Sequence, residues 1–187
     1  MTLGYGLIGL FVAVAGYLIY VYNALVSNKN LVAEGWSGID VQLKRRADLL
    51  PNLIETVKGY AAHEDKLFRD IADLRAKSIA GGSVGDQSAV GQAMSAALGR
   101  LFAIAEAYPE LKADANFRDL QDKLSGIEDE IQLSRRYYNG AVRNLNTMIE
   151  SFPSNVVANF FKFLKAEFFE IGDAAQREVP KVDFKTR

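Results

Sequence analysis

The chain has no cysteine and one histidine, His63. The first absence removes disulfides, thiolate nucleophiles and cysteine-ligated metals together. The second removes the zinc-peptidase helix, which needs another histidine four residues on, where this chain has Leu67. A di-iron carboxylate bundle needs two Glu-x-x-His pairs and fails for the same reason. No Ser-His-Asp set can be identified, and no glycine loop with a following lysine succeeds a predicted strand; Gly81 to Gly85 reads as a hairpin loop. We therefore expect no catalytic residue, no metal and no cofactor. Basic and acidic residues number 22 and 23, a net charge of -1, so there is no basic face of the kind nucleic acid requires.

Charge is also missing from the start of the chain: nothing ionisable precedes Lys29 except tyrosine. From Leu3 to Val26 the residues are almost wholly apolar or aromatic, and about 20 such residues cross the roughly 30 Å hydrocarbon layer as a helix. Ala13-Val14-Ala15 has the form of a signal-peptidase site, but no lysine or arginine precedes it and the apolar run continues past it, so an uncleaved anchor over 1–27 is the expected reading. Lys29, Lys44, Arg45 and Arg46 follow the span, which puts the C-terminal part in the cytoplasm of a single-pass inner-membrane protein with its N-terminus outside.

About 160 residues remain, enough for one domain with a real core. Apolar residues from Val32 to Ser78 keep a 3-4 spacing, interrupted by Arg46 and Glu64. This predicts one helix over 28–79, kinked at Pro51, where a backbone hydrogen bond to the Ala47 carbonyl is lost. Similar seams predict helices over 87–112, with Asp86 as N-cap, and 116–151, opened by Asn116 and Asp119. After Pro153 a fourth helix is expected over 155–171, with Val156, Val157, Phe160, Phe161, Leu164, Phe168 and Ile171 as its core face. The fold class is all-α: a membrane helix continuing into an up-and-down antiparallel four-helix bundle over 28–175, then an extended tail over 176–187. The first helix would be ~75 Å long and the second only ~37 Å, so its membrane-proximal stripe needs cover from later segments or from other copies.

The ordered runs Tyr22-Asn23-Ala24-Leu25-Val26, Lys44 to Leu53, Val57 to Glu64, Glu106 to Ala113, Tyr137-Tyr138-Asn139 and Phe152-Pro153-Ser154-Asn155 resemble the LemA family of bacterial membrane proteins. The resemblance implies an N-terminal anchor, an N-out topology and a helical bundle. It implies no chemistry, since the family as a whole has no established activity. Relatives include a factor for membrane invagination in magnetosome formation, which directs attention to membrane organisation.

Two sets of residues stand out as candidate sites. Arg46, His63 and Glu64 are polar on or beside the seam and, if buried, need partners such as Glu128, Asp129, Arg135 or Arg136. Phe163 and Phe169 fall off the core face of the fourth helix beside Lys162 and Lys165; with Phe160 they suit a bilayer interface or a partner groove. We expect a non-enzymatic, self-assembling scaffold that organises or shapes the membrane. Its partners would be the lipid bilayer, further copies of itself as a homo-oligomer, and no nucleic acid. The alternatives are an adaptor for another membrane protein, such as a protease or signalling protein, and a ligand-binding or hydrolytic bundle around Arg46, His63 and Glu64, which would need a concave polar pocket.

Overall fold

Helix α1 runs unbroken from Thr2 to Lys58, 57 residues and about 85 Å. The computed structural model describes residues 2–61 and 63–170, with side chains from Gly4 onward. The tail expected over 176–187 lies outside the described residues. After α1 come α2 (Asp65–Ala80), α3 (Val84–Ala105), α4 (Pro109–Ala113), α5 (Ala115–Glu150) and α6 (Ser154–Phe160). No strand occurs among the described residues, and the fold is all-α.

The second half of α1, with α2, α3 and α5, alternates in direction around a shared core. Arg75 of α2 reaches back to Ala47 of α1, Gln87 of α3 to Lys77 of α2, and Ser95 of α3 to Glu128 of α5. Helix α5 then returns along α1, so that Asn28 near the membrane end meets Met148. The long first helix is thus covered by α5 down to Val21. The apolar stripe that the length mismatch left open is closed within one chain.

The break in the first helix falls at residues 59–64, not at Pro51. Proline leaves the Ala47 carbonyl without its helical donor. Arg75 Nε donates to that carbonyl at 2.8 Å, so the backward packing of α2 fills the vacancy and α1 continues. Local capping differs from expectation in the same spirit. Ser83, not Asp86, is the N-cap of α3: its hydroxyl accepts from the Asp86 N–H at 3.1 Å and the Asp86 carboxylate accepts from the Ser83 N–H at 3.2 Å. The Ser83 hydroxyl also donates to the Asp86 carboxylate at 2.7 Å, and that bond first, with the Ser83 N–H second, holds the Asp86 carboxyl below the usual carboxylate range. Asp114 caps α5, accepting from the amides of Asn116 and Phe117. Pro109 begins α4, where its missing N–H costs nothing, instead of interrupting a longer helix.

The fourth helix departs most. It stops at Phe160, because Lys162 adopts φ 58 and turns the chain out of the helix. The Phe163 N–H then bonds to the Ala158 carbonyl and the Lys162 N–H to that of Asn159, the reciprocal closure of a Schellman cap. Residues 163–170 continue without helix. Of the expected core face only Val157 is buried; Val156, Phe160, Phe161, Leu164 and Phe168 are exposed, Ile171 lies outside the described residues, and Phe169 is buried while Phe163 packs against the core.

Candidate functional site: a buried charge cluster and a membrane-level hairpin

Arg46 is 1% exposed, midway along the α1–α5 seam. Its guanidinium donates to Glu128 at 2.9 Å and to the Ser95 hydroxyl at 3.2 Å. Ser95 in turn reaches the other Glu128 oxygen at 3.1 Å. Arg135 joins from α5: a Cβ on Gly91 would stand 3.0 Å from its Nη2 and 3.8 Å from Nη2 of Arg46, so the bare glycine makes room for two converging guanidiniums. One carboxylate therefore faces two cations. Burial pulls both arginines below their ordinary value, with Glu128 acting against it; neither loses its proton for that. Such a cluster fixes register between three helices, since any shift would strand a charge away from water.

His63 and Glu64 do not converge with it. His63 is exposed in the α1–α2 connection and Glu64 is half-buried at the N-cap of α2, both beyond the end of α1 at Lys58, whereas Arg46 is buried within α1. The polar pocket that a hydrolytic bundle would need from these three residues does not form.

The second constellation joins the membrane-proximal half. Helices α1 and α5 lie side by side there, and the groove between them is filled by residues 163–170. Two asparagines one heptad apart on α5 hold that segment. The Asn146 amide accepts from the Ala166 N–H and donates to the Ala166 carbonyl, both at 2.9 Å. Asn139 does the same to Phe169, at 2.9 and 3.0 Å. The Tyr138 hydroxyl donates to the Glu167 carbonyl at 2.8 Å, and its phenol is raised above the usual range by burial and by the Glu167 charge. Ser88 and Gln92 of α3 bond the Glu170 carbonyl. A side-chain amide offers a backbone the same donor and acceptor pair as a neighbouring strand would, so this strap is satisfied without belonging to a sheet. Phe169, 3% exposed, is its anchor: the ring lies 4.6 Å from the Arg135 guanidinium carbon and 6.3 Å from the Trp36 ring.

The strap positions the α5–α6 hairpin. Val157 and Ala158 pack on Val21 and Leu25 of α1, with Leu145 and Ile149 of α5. This leaves Phe152 82%, Phe160 78% and Leu164 83% exposed, with Val156 beside them. An apolar cleft of 460 Å³ between hairpin and span is lined by Leu18, Ile19, Tyr22, Val156, Val157, Phe160 and Phe161. The hairpin thus lies level with the last turns of the apolar run. That run is nearly bare of packing, and α1 is the one described helix long and apolar enough to cross a membrane.

Of the residues expected at an interface, the structure sets Phe160 at the surface, Phe163 and Phe169 inside, Lys162 at the turn, and Lys165 in an ion pair with Glu150. Phe152, Val156 and Leu164 are exposed with Phe160, although the spacing of Val156 and Leu164 predicts a core face. Adjacency to an apolar span is the signal that distinguishes them, since a face that must be covered in water needs no cover in lipid.

The family model for the LemA family matches residues 35–184. Magnetosome protein MamQ 2 of Paramagnetospirillum magneticum is 27% identical over 185 residues, covering 85% of this chain and 68% of the relative. Magnetosome protein MamQ of Magnetospirillum gryphiswaldense is 27% identical, covering 79% and 64%. Protein LemA of Metamycoplasma hominis is also 27% identical, covering 94% of this chain and 80% of the relative. The family match covers α1 from Gly35 onward, the remaining described helices and the strap, and on it the chain belongs to the LemA family.

Proposed function

We propose that this chain is a non-enzymatic, single-pass membrane protein that organises or shapes the bilayer, with its bundle on the cytoplasmic side of the inner membrane. The observation that carries the reading is the exposed apolar set Phe152, Val156, Phe160 and Leu164 on the hairpin, of which Val156 and Phe160 line one cleft with Leu18 and Ile19 of the span. Left in water, each such side chain forgoes roughly 1.5–3 kcal/mol of burial. Placed beside the span, all four enter the hydrocarbon of the near leaflet only. A hairpin that enlarges one leaflet and not the other favours curvature, and the strap seats it against α1 and α5.

Assembly of several copies would add these wedges together. Gly6, Gly9 and Gly16 of the span have nothing within 4 Å of a would-be Cβ, and with Ala13 they form a line of small residues along which helices can approach in lipid. The magnetosome relatives are consistent with service at an internal membrane. Changing Phe152, Val156, Phe160 and Leu164 together to serine should abolish deformation of liposomes by the full chain while helicity and Trp36 emission stay unchanged. Undiminished deformation in that variant would overturn the wedge. A native-membrane particle holding one copy and a stoichiometric second protein would favour an adaptor. Topology is tested by single cysteines at Thr2 and Asp86 in this cysteine-free chain, with Thr2 expected to label from outside and Asp86 only after permeabilisation.

A further inference from the structure

The apolar cleft beside Leu18 and Ile19 does not end at Tyr22. Tyr22 and Phe161, with ring centroids 4.7 Å apart, line it and also line a larger cleft of 880 Å³ that continues along α1. The two ends differ in chemistry. The first is lined by apolar side chains and one tyrosine ring; the second carries Lys29, Lys162 and Lys165 and no carboxylate. Lys165 is paired with Glu150, whereas Lys29 and Lys162 have no acidic partner among the described residues. Lys29 stands about 10–16 Å along α1 from the residues of the apolar end, an offset that sets its amine at headgroup depth when that end sits in hydrocarbon.

Lys162 adds an independent observation. It holds the left-handed C-terminal position of α6, at φ 58, where glycine is the ordinary occupant and a side chain is a cost. A residue that is conformationally disfavoured and yet charged points to a use for the charge.

We infer that this groove binds one anionic phospholipid, an acyl chain lying between Leu18–Ile19 and Phe160–Phe161 and the phosphate between Lys29 and Lys162. A single amphiphile matches both ends, which a peptide or a soluble anion does not. The inference rests on the membrane reading above in that the groove must stand in a bilayer, but it concerns lipid class and not curvature.

The test uses the full chain in detergent, with palmitoyl-oleoyl phosphatidylglycerol or phosphatidylcholine added and lipid retained per chain counted by native mass spectrometry. The expected result is about one phosphatidylglycerol per chain, roughly tenfold favoured over phosphatidylcholine, with a roughly fivefold loss for each of Lys29→Gln and Lys162→Gly. Lys162→Gly relieves the left-handed residue, so the loss cannot come from unfolding. Val156→Asp, which charges the apolar end, should reduce retention of both lipids. Equal retention of the two lipids by the unaltered chain would overturn the inference, as would full phosphatidylglycerol preference in the lysine variants. Displacement by soluble glycerol phosphate would overturn it in favour of a free-anion site, and a change of oligomer mass in Val156→Asp with retention intact would make the groove a contact between copies. Release of the chain from native membranes by carbonate would instead sink the membrane reading itself.

Discussion

The two halves of the bundle are closed by different means. In the distal half, four helices share one core: Leu50, Leu53 and Val57 of α1, Ile71 of α2, Met94 and Leu101 of α3, and Phe117 and Leu124 of α5. In the other half α1 and α5 are joined only by the short α6, and the third wall is a non-helical strap held by two asparagine amides, a tyrosine hydroxyl and one phenylalanine. Helix-on-helix burial spreads its stabilisation over many side chains and opens only when the domain unfolds. A strap concentrates it in a few bonds and can open alone. The two halves thus rest on different kinds of contact, with the Arg46–Glu128–Arg135 cluster at the boundary between them.

The boundary is where the comparison breaks hardest. Glu128→Ala leaves two buried guanidiniums facing each other, and we expect a loss of about 3 kcal/mol of global stability by chemical denaturation, since stranding a buried charge costs more than the pair contributes. Arg46→Met should cost far less, because it removes the desolvated charge and keeps the volume. Equal losses in the two variants would mean that packing, not charge, holds the seam.

Next in size is the strap. Asn139→Leu removes both bonds to Phe169 and leaves its amide and carbonyl unsatisfied, at about 1–3 kcal/mol. The loss should be local. Trp36, the single tryptophan, stacks against Tyr138 and Phe169, so its emission should move toward that of exposed indole while far-ultraviolet helicity holds. Loss of helicity in parallel would show that the two halves open together.

What could be read from the sequence follows the same division. Helix seams are periodic, so much of what is buried along α1, α2 and α5, Arg46 among it, is legible in the spacing, whereas in α3 Met94, Ala97 and Leu101 are legible and Gln87, Ser88 and Gly91 are not. Asn139 and Asn146 carry no periodic apolar signal; their meaning lies in backbone groups 20 and 30 residues away. The fourth helix misled because Phe160, Phe161, Leu164 and Phe168 fall at helical spacing, which in water means a core. Nothing in that spacing reveals that Lys162 ends the helix. Pro51 misled in the opposite way, because the donor that rescues Ala47 comes from Arg75, 28 residues on.

That rescue supplies a smaller effect in the distal half. Arg75→Ala leaves the Ala47 carbonyl without a donor, and about 1 kcal/mol should be lost. Hydrogen exchange should quicken in α1 around Pro51 and in α2, while the strap amides of Ala166 and Phe169 keep their protection. Faster exchange at those two amides would tie the strap to the distal core.

The smallest effect is a titration, and it touches the strap alone. Tyr138 has a native pKa above its ordinary 10.0, through burial first and the Glu167 charge second. A raised native value means that the hydroxyl's contribution is whole below pH 10 and fades as pH climbs through the higher native value, when the donor to the Glu167 carbonyl is lost. The asparagine amides do not titrate. Trp36 emission should therefore show an alkaline step that is absent in Tyr138→Phe, whose strap stays seated by Phe169 and the two asparagines. The same step in Tyr138→Phe would trace it to another tyrosine, and the strap would then hold without regard to this bond.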